Sequence, residues 1–137
     1  MKQSTITLAQ AVKFHGHLGP FLVLGLRIGN AAIRKLKAER YFGILVSVEG
    51  ADKKPKSCLI DGLQLATGAT FGKGNIEKIG AKSIKVRIKN LRNNKRIVFK
   101  LKHSLIEELD SIKTHSESEK VARRLYGENE SKLFDFK

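Results

Sequence analysis

Cysteine is nearly missing from this chain: Cys58 is the single thiol in 137 residues. One thiol excludes an internal disulfide framework, and it excludes a zinc ribbon built from four cysteines of one chain. Acidic residues are also scarce, 13 against 27 lysines and arginines, which leaves a net charge of +14. Long apolar runs are absent. The longest apolar stretch, Phe21 to Ile33, is interrupted by Arg27 and Asn30 and falls short of the ~20 residues that span a bilayer. No apolar signal-peptide core follows Met1-Lys2-Gln3-Ser4-Thr5, so export is not expected and the expected location is cytoplasmic. No internal repeat, zinc finger, RNP motif or basic zipper occurs. With 41% apolar residues, the chain is expected to form one domain with a real core, and no membrane contact.

The positive charge has two readings: a surface for nucleic acid or another polyanion, or a lysine-rich solvated surface of the kind common in thermophiles. Nine of the cations crowd residues 82–102. Within that segment Lys85, Arg87 and Lys89 alternate with Ile84, Val86 and Ile88, the pattern of a strand with one basic, solvated face. Phe99 is the aromatic residue there, so the stacking ladder of a single-strand binder is missing. Sequence-specific nucleic-acid binding is therefore not expected.

Periodicity and turn chemistry predict the elements. Ser4 or Thr5 is expected to cap a short helix ending near Lys13. The loop His15-Gly16-His17-Leu18-Gly19 follows, and Pro20 suits the first turn of a core helix reaching Lys37. Phe42–Val48 reads as a buried strand. Ser57 is a candidate cap for a helix from Cys58 to before Gly68. Strands are expected over Ile76–Ile79, Ser83–Asn90 and Arg96–Lys102, with Asn93-Asn94 turning the last two. Helices are expected over Ser104–Lys113 and Ser118–Tyr126. Leu133-Phe134-Asp135-Phe136-Lys137 reads either as a docking tail or as a frayed end.

The residues able to do chemistry are few. His15 and His17 flank one glycine, so in a loop both rings can turn to one centre; alternatively one of them caps the Pro20 helix or bonds a backbone carbonyl. Cys58, 41 residues after His17, is either a small buried hydrophobe or a thiol at a helix start, where the dipole favours thiolate. Asp61 lies three residues on, near the same face. Two imidazoles, a thiolate and a carboxylate suit zinc or a similar divalent transition metal if the fold unites them. Gly68-Ala69-Thr70-Phe71-Gly72-Lys73-Gly74-Asn75 resembles a phosphate cradle but lacks P-loop spacing; on composition alone a tight turn between a helix and a strand is the better reading. His103 and His115 read as surface or capping histidines.

Taken in order, Phe14-His15-Gly16-His17, Gly19-Pro20, Gly25-Leu26-Arg27, Cys58, Asp61, Gln64 and Thr67-Gly68-Ala69-Thr70-Phe71-Gly72-Lys73-Gly74-Asn75 resemble the FmdE family, named after a component of formylmethanofuran dehydrogenase. The resemblance spans roughly residues 5–90. It implies an α+β domain with an antiparallel sheet packed by helices, a homodimer, and a metal site, commonly zinc, with His17, Cys58 and His15 as ligands. Asp61 becomes a ligand, base or orienting group, and Cys58 and Asp61 the candidates for catalysis. Arg27, Thr70 and Lys73 are the candidates to bind a cofactor or small molecule. Family members usually carry further cysteines where this chain has Gly19 and Ala69, and many end in a zinc ribbon that this chain lacks. The expectation is a metal-binding accessory protein or small-molecule enzyme. The alternative is a non-catalytic protein whose basic surface takes an acidic partner or nucleic acid.

Overall fold

Period-two alternation of apolar and charged residues builds a single sheet, and one helix of nearly continuous apolar character fills the space behind it. The computed structural model describes residues 6–137. In order the elements are α1 (Leu8–His15), α2 (Pro20–Leu36), β1 (Ile44–Glu49), α3 (Cys58–Thr67), β2 (Ile76–Ile79), β3 (Lys85–Asn90), β4 (Arg96–Leu101), α4 (His103–Asp110), α5 (His115–Gly127), a 3-10 turn (Glu130–Lys132) and β5 (Phe134–Phe136). The sheet order is β2-β1-β3-β4-β5. All neighbours pair antiparallel except β1 and β2, which are parallel. The expected α+β class holds. The parallel pair arises because α3 serves as the crossover between those two strands.

Val46, Val48, Val86, Ile88, Ile97 and Phe99 point inward and are buried under the helices. Lys85, Arg87 and Lys89 fall on the opposite face as alternation requires, with Arg87 paired to Glu49 across β1 and β3. Among the described residues that outer face carries no helical layer, and a groove of about 380 Å³ is lined by Lys85, Arg87, Val98, Lys100 and Phe136.

Pro20 opens α2 at its first turn, as its missing N–H favours. Val23, Leu24 and Ile28 of α2 belong to the main core, while Leu22 and Leu26 meet Ala11 of α1 and Ala66 of α3. The approach of α2 to α3 is close because both helices lack side chains at the crossing. A Cβ on Gly25 would lie 2.2 Å from the Leu59 carbonyl oxygen, and one on Gly62 would lie 2.2 Å from that of Leu22.

Three local expectations are corrected and one open alternative is decided. Thr7 caps α1 in a capping box with Gln10; the proposed caps Ser4 and Thr5 lie outside the described residues. β1 starts at Ile44, because Tyr41 takes a left-handed conformation and Phe42 is exposed. Ser57 is itself helical and makes no capping bond. The C-terminal segment docks as edge strand β5, where Phe134 packs edge-on against Phe99 with ring centroids 5.1 Å apart.

Candidate metal centre

His15 is the last residue of α1, and Gly16 ends that helix in the left-handed region at φ 111°, a conformation glycine adopts without a Cβ penalty. The reversal brings the His15 ring to α3, one turn in from Cys58. His15 Nδ1 lies 2.6 Å from Asp61 Oδ2. The carboxylate oxygen accepts, so Nδ1 is the ring nitrogen that carries the hydrogen. In the neutral ring Nε2 then carries the lone pair. It is buried and, among the described residues, has no hydrogen-bond partner, in a side chain only 9% exposed. An unsatisfied buried acceptor costs about 1–3 kcal/mol. A carboxylate behind one ring nitrogen and an unused second nitrogen is an arrangement that ligating histidines share.

The His17 ring stands beside that of His15, centroids 4.9 Å apart. It packs over Gly19, where a Cβ would come within 2.9 Å of its Cε1. On its other side is His115, the first residue of α5, with centroids 6.0 Å apart. The sequence marked His115 as a surface or capping residue. It is indeed exposed, pairing with Glu119 across one helical turn at 3.1 Å, yet it also belongs to the histidine cluster. Nothing in its local sequence signals this, since it lies 98 residues beyond His17 and meets it only through helix packing. His103, paired with Glu107, is the surface histidine expected.

The register of α5 is set at its far end. Arg27 of α2 donates to the carbonyls of Leu125 and Tyr126, and Arg34 makes a two-pronged contact with Glu130. His17, just before α2, meets the first residue of α5, and Arg27, ten residues on, meets Leu125 near its end, so α5 runs alongside α2 in the same direction and delivers His115 to the α1–α2 turn. Arg27, a candidate for cofactor binding, here caps the carbonyl end of α5, roughly 15 Å of helix away from His115.

Cys58 is half-buried at the start of α3. Burial pushes its thiol above the usual range, and the Asp61 charge pushes it further, against a weaker opposing effect of Lys54. The expected dipole-favoured thiolate is therefore corrected. The first-turn N–H groups of Cys58, Leu59 and Ile60 already bond the carbonyls of Pro55, Lys56 and Ser57, so no open helix end faces the sulfur. Among the described residues, no three His, Cys, Asp or Glu side chains converge as a formed metal-binding group.

Thr70 and Lys73 sit together elsewhere. Lys73 Nζ donates to Thr70 Oγ1 at 3.1 Å, and the loop is fastened to the last turn of α3 through the Phe71 N–H to Gln64 Oε1. Asn75 holds it from below, donating to the carbonyls of Tyr41 and Ile44 and accepting from the Thr70 N–H. These contacts lie at the C-terminal end of α3, whereas Cys58 and Asp61 occupy its N-terminal turn. Exposed Phe42 and Phe71 flank the loop.

Comparison with known proteins gives two findings. The family model described as FmdE, Molybdenum formylmethanofuran dehydrogenase operon, matches residues 14–135, which takes in α5 and β5 as well as the motif-bearing first half. A relative from Archaeoglobus fulgidus, named as a probable S-adenosyl-L-methionine-binding protein, is 40% identical over 80 residues. That match covers 54% of this chain and 21% of the relative, so the chain spans about a fifth of the relative's length. Among the described residues no helix is long and apolar enough to cross a membrane.

Proposed function

We propose that this chain, which belongs to the FmdE family, is a metal-binding domain whose centre is His15, and that it works as an accessory protein or small-molecule enzyme beside the formylmethanofuran dehydrogenase system. The observation that carries the reading is the buried, unpartnered Nε2 of an imidazole whose other nitrogen is held by Asp61. The donor chemistry fits zinc or a similar divalent ion: His15 and His17 would supply nitrogen, and Cys58 sulfur once the ion displaces the thiol proton. When bound, such an ion supplies Lewis acidity to a coordinated water or carbonyl. The chain's own residues act around it. Asp61 fixes the His15 tautomer and ring plane, and Gly19 leaves room for the His17 ring. A homodimer, implied by the family, belongs to the same reading, and light scattering of the purified protein tests it.

Titration of chelator-treated protein with Co(II), followed by absorption, is the direct test. One ion per chain is expected, with a sulfur-to-metal charge-transfer band if Cys58 ligates. His15→Ala should abolish binding, and Asp61→Asn should weaken it by roughly 10- to 100-fold, the usual effect of losing a ligand's orienting partner. Wild-type protein that binds no ion at micromolar concentration, or His15→Ala that binds normally, refutes the reading.

The uncovered outer face of the sheet favours a second reading. Lys85, Arg87, Lys89, Arg96 and Lys100 share that face, with Glu49 and Glu77 as partial counter-charges. Such a surface suits an acidic partner, and it repels a second copy of itself.

A further inference from the structure

Two grooves on the outer face of the sheet join into one channel. The first is lined by Lys85, Val98 and Lys100, and the second, of about 250 Å³, by Leu45, Lys89 and Arg96; Arg87 and Val98 belong to both. We propose that this channel seats an acidic amphipathic helix of a partner protein, laid diagonally from Leu45 to Val98. The inference deepens the second reading above, the basic face for an acidic partner, and is independent of the metal centre.

The strand register fixes the pattern. Leu45 on β1 pairs with Lys89 on β3, and Lys89 pairs with Arg96 on β4. Two residues back along β3, Arg87 pairs with Ser47 on one side and Val98 on the other. Leu45 and Val98 are therefore two strands and two residues apart, roughly 12 Å from strand spacings of ~4.8 Å and a rise of ~3.4 Å. Two turns of α-helix rise about 11 Å, so apolar side chains at i and i+7 of one helix reach both. Lys89 and Arg96 flank this diagonal on one side, Lys85 and Lys100 on the other. Among the described residues none of these four has a carboxylate within ion-pair distance, whereas Arg87 is held by Glu49 and Lys102 by Asp135. An apolar stripe with carboxylates on both shoulders is the complement of this surface.

Other occupants fit less well. Solvation alone is served by charges of both signs, and it gives no reason to leave Leu45 38% exposed between cations. A phosphodiester backbone offers nothing apolar to Leu45 and Val98. Bases find no stacking platform, because Phe99 is buried in the core and the Phe136 ring is turned to Phe99 and to Lys35 of α2. A second copy brings the same net charge of +14.

The test is fluorescence anisotropy of the full chain with a labelled synthetic peptide of roughly 18 residues, long enough to hold a helix, carrying two leucines seven residues apart between rows of glutamates. The comparison probes are the same peptide with serines for the leucines and an oligothymidine of equal net charge. The leucine peptide should bind about 10-fold tighter than the serine peptide, since each leucine leaves water on docking. Leu45→Ser, which leaves every charge in place, should erase most of that preference. Arg96→Glu with Lys100→Glu should weaken binding by about 10-fold or more, and an equal charge change on exposed α5 residues, Lys120→Glu with Arg123→Glu, by much less. A serine peptide or oligothymidine that binds as tightly as the leucine peptide overturns the helix and leaves only a general polyanion surface. Equal weakening in the two double variants overturns the channel as the site. If no probe binds at submillimolar concentration, the helix and the acidic-partner reading both fall.

Discussion

Gly62→Ala puts one methyl group into the tightest contact of the fold, and its cost can be worked from the structure. The new Cβ would lie 2.2 Å from the Leu22 carbonyl oxygen, 2.8 Å from Gly25 Cα and 2.8 Å from the Leu26 nitrogen. All three are backbone atoms of α2, so no flexible side chain can swing away. Ordinary non-bonded separations are about 3.5–4.0 Å, so the helices must part by roughly 1 Å. Leu22, Leu26, Leu59 and Leu63 are buried in α2 and α3 near this crossing. Burial of each leucine is worth about 1.5–3 kcal/mol, and a 0.5–1 Å gap forfeits a quarter to a half of the contact. Four such losses total roughly 1.5–6 kcal/mol. The better helix propensity of alanine returns about 1 kcal/mol. The net expectation is a loss of about 0.5–5 kcal/mol, overlapping the usual range for overpacking. For a domain of this size that lowers Tm by roughly 2–20 °C. Urea denaturation with a thermal melt measures it. Gly25→Ala should behave alike, and the double variant should cost less than the sum, because one separation relieves both clashes. Gly127→Ala, where a Cβ meets nothing within 4 Å, should be neutral or stabilising by up to about 1 kcal/mol. If Gly62→Ala proves as stable as the wild type, propensity has won and the reasoning about this crossing is wrong. The same separation should loosen the 2.6 Å contact from α3 to His15, so Gly62→Ala should also weaken metal binding.

Asn75→Ala leaves the Tyr41 and Ile44 carbonyls and the Thr70 N–H without their partner, and should cost roughly 2–4 kcal/mol in urea denaturation. Asn75→Asp should be no better, since it turns an oxygen toward two carbonyl oxygens. The raised Cys58 thiol makes alkylation by iodoacetamide slower than in an unfolded peptide at the same alkaline pH, and Asp61→Asn should speed it by removing the second cause of the shift. The sign for stability follows. The unfolded thiol ionises first, so this contribution is complete below the ordinary thiol range, about pH 8.5, and is lost as pH rises through the higher folded value. Cys58→Ser should flatten that alkaline decline, and an unchanged profile would count against the assignment. On the basic sheet face, duplex or single-stranded DNA should bind weakly, without sequence preference, and with affinity falling steeply as salt rises. A sequence-selective complex at physiological salt would promote the binding-surface reading over the metal centre.

Much of this fold was legible in one dimension, because it depends on local spacing. Alternation in Lys85–Asn90 and Arg96–Leu101 set which residues face the core, and the structure buries Val86, Ile88, Ile97 and Phe99 accordingly. Pro20 marked the start of α2, and the asparagine pair marked the β3–β4 turn. The order of the motifs pointed to the family. What local chemistry could not decide was anything that depends on a neighbour distant in sequence. Ser57 looks like a cap, but the preceding turn continues into the helix and takes its place. Cys58 looks like a dipole-activated thiolate, but burial and Asp61 hold it as a thiol. Nothing local to Gly25 or Gly62 names the partner; only when α2 and α3 are brought together do their missing side chains become the reason these two helices fit. His15 and Asp61 are 46 residues apart and share a hydrogen bond only because that crossing sets α3 beside the end of α1. His115 reaches His17 only because Arg27 and Arg34 fix α5 along α2. Periodicity encodes the face each residue presents, whereas packing decides which faces meet, and the candidate centre is made of the second kind of information.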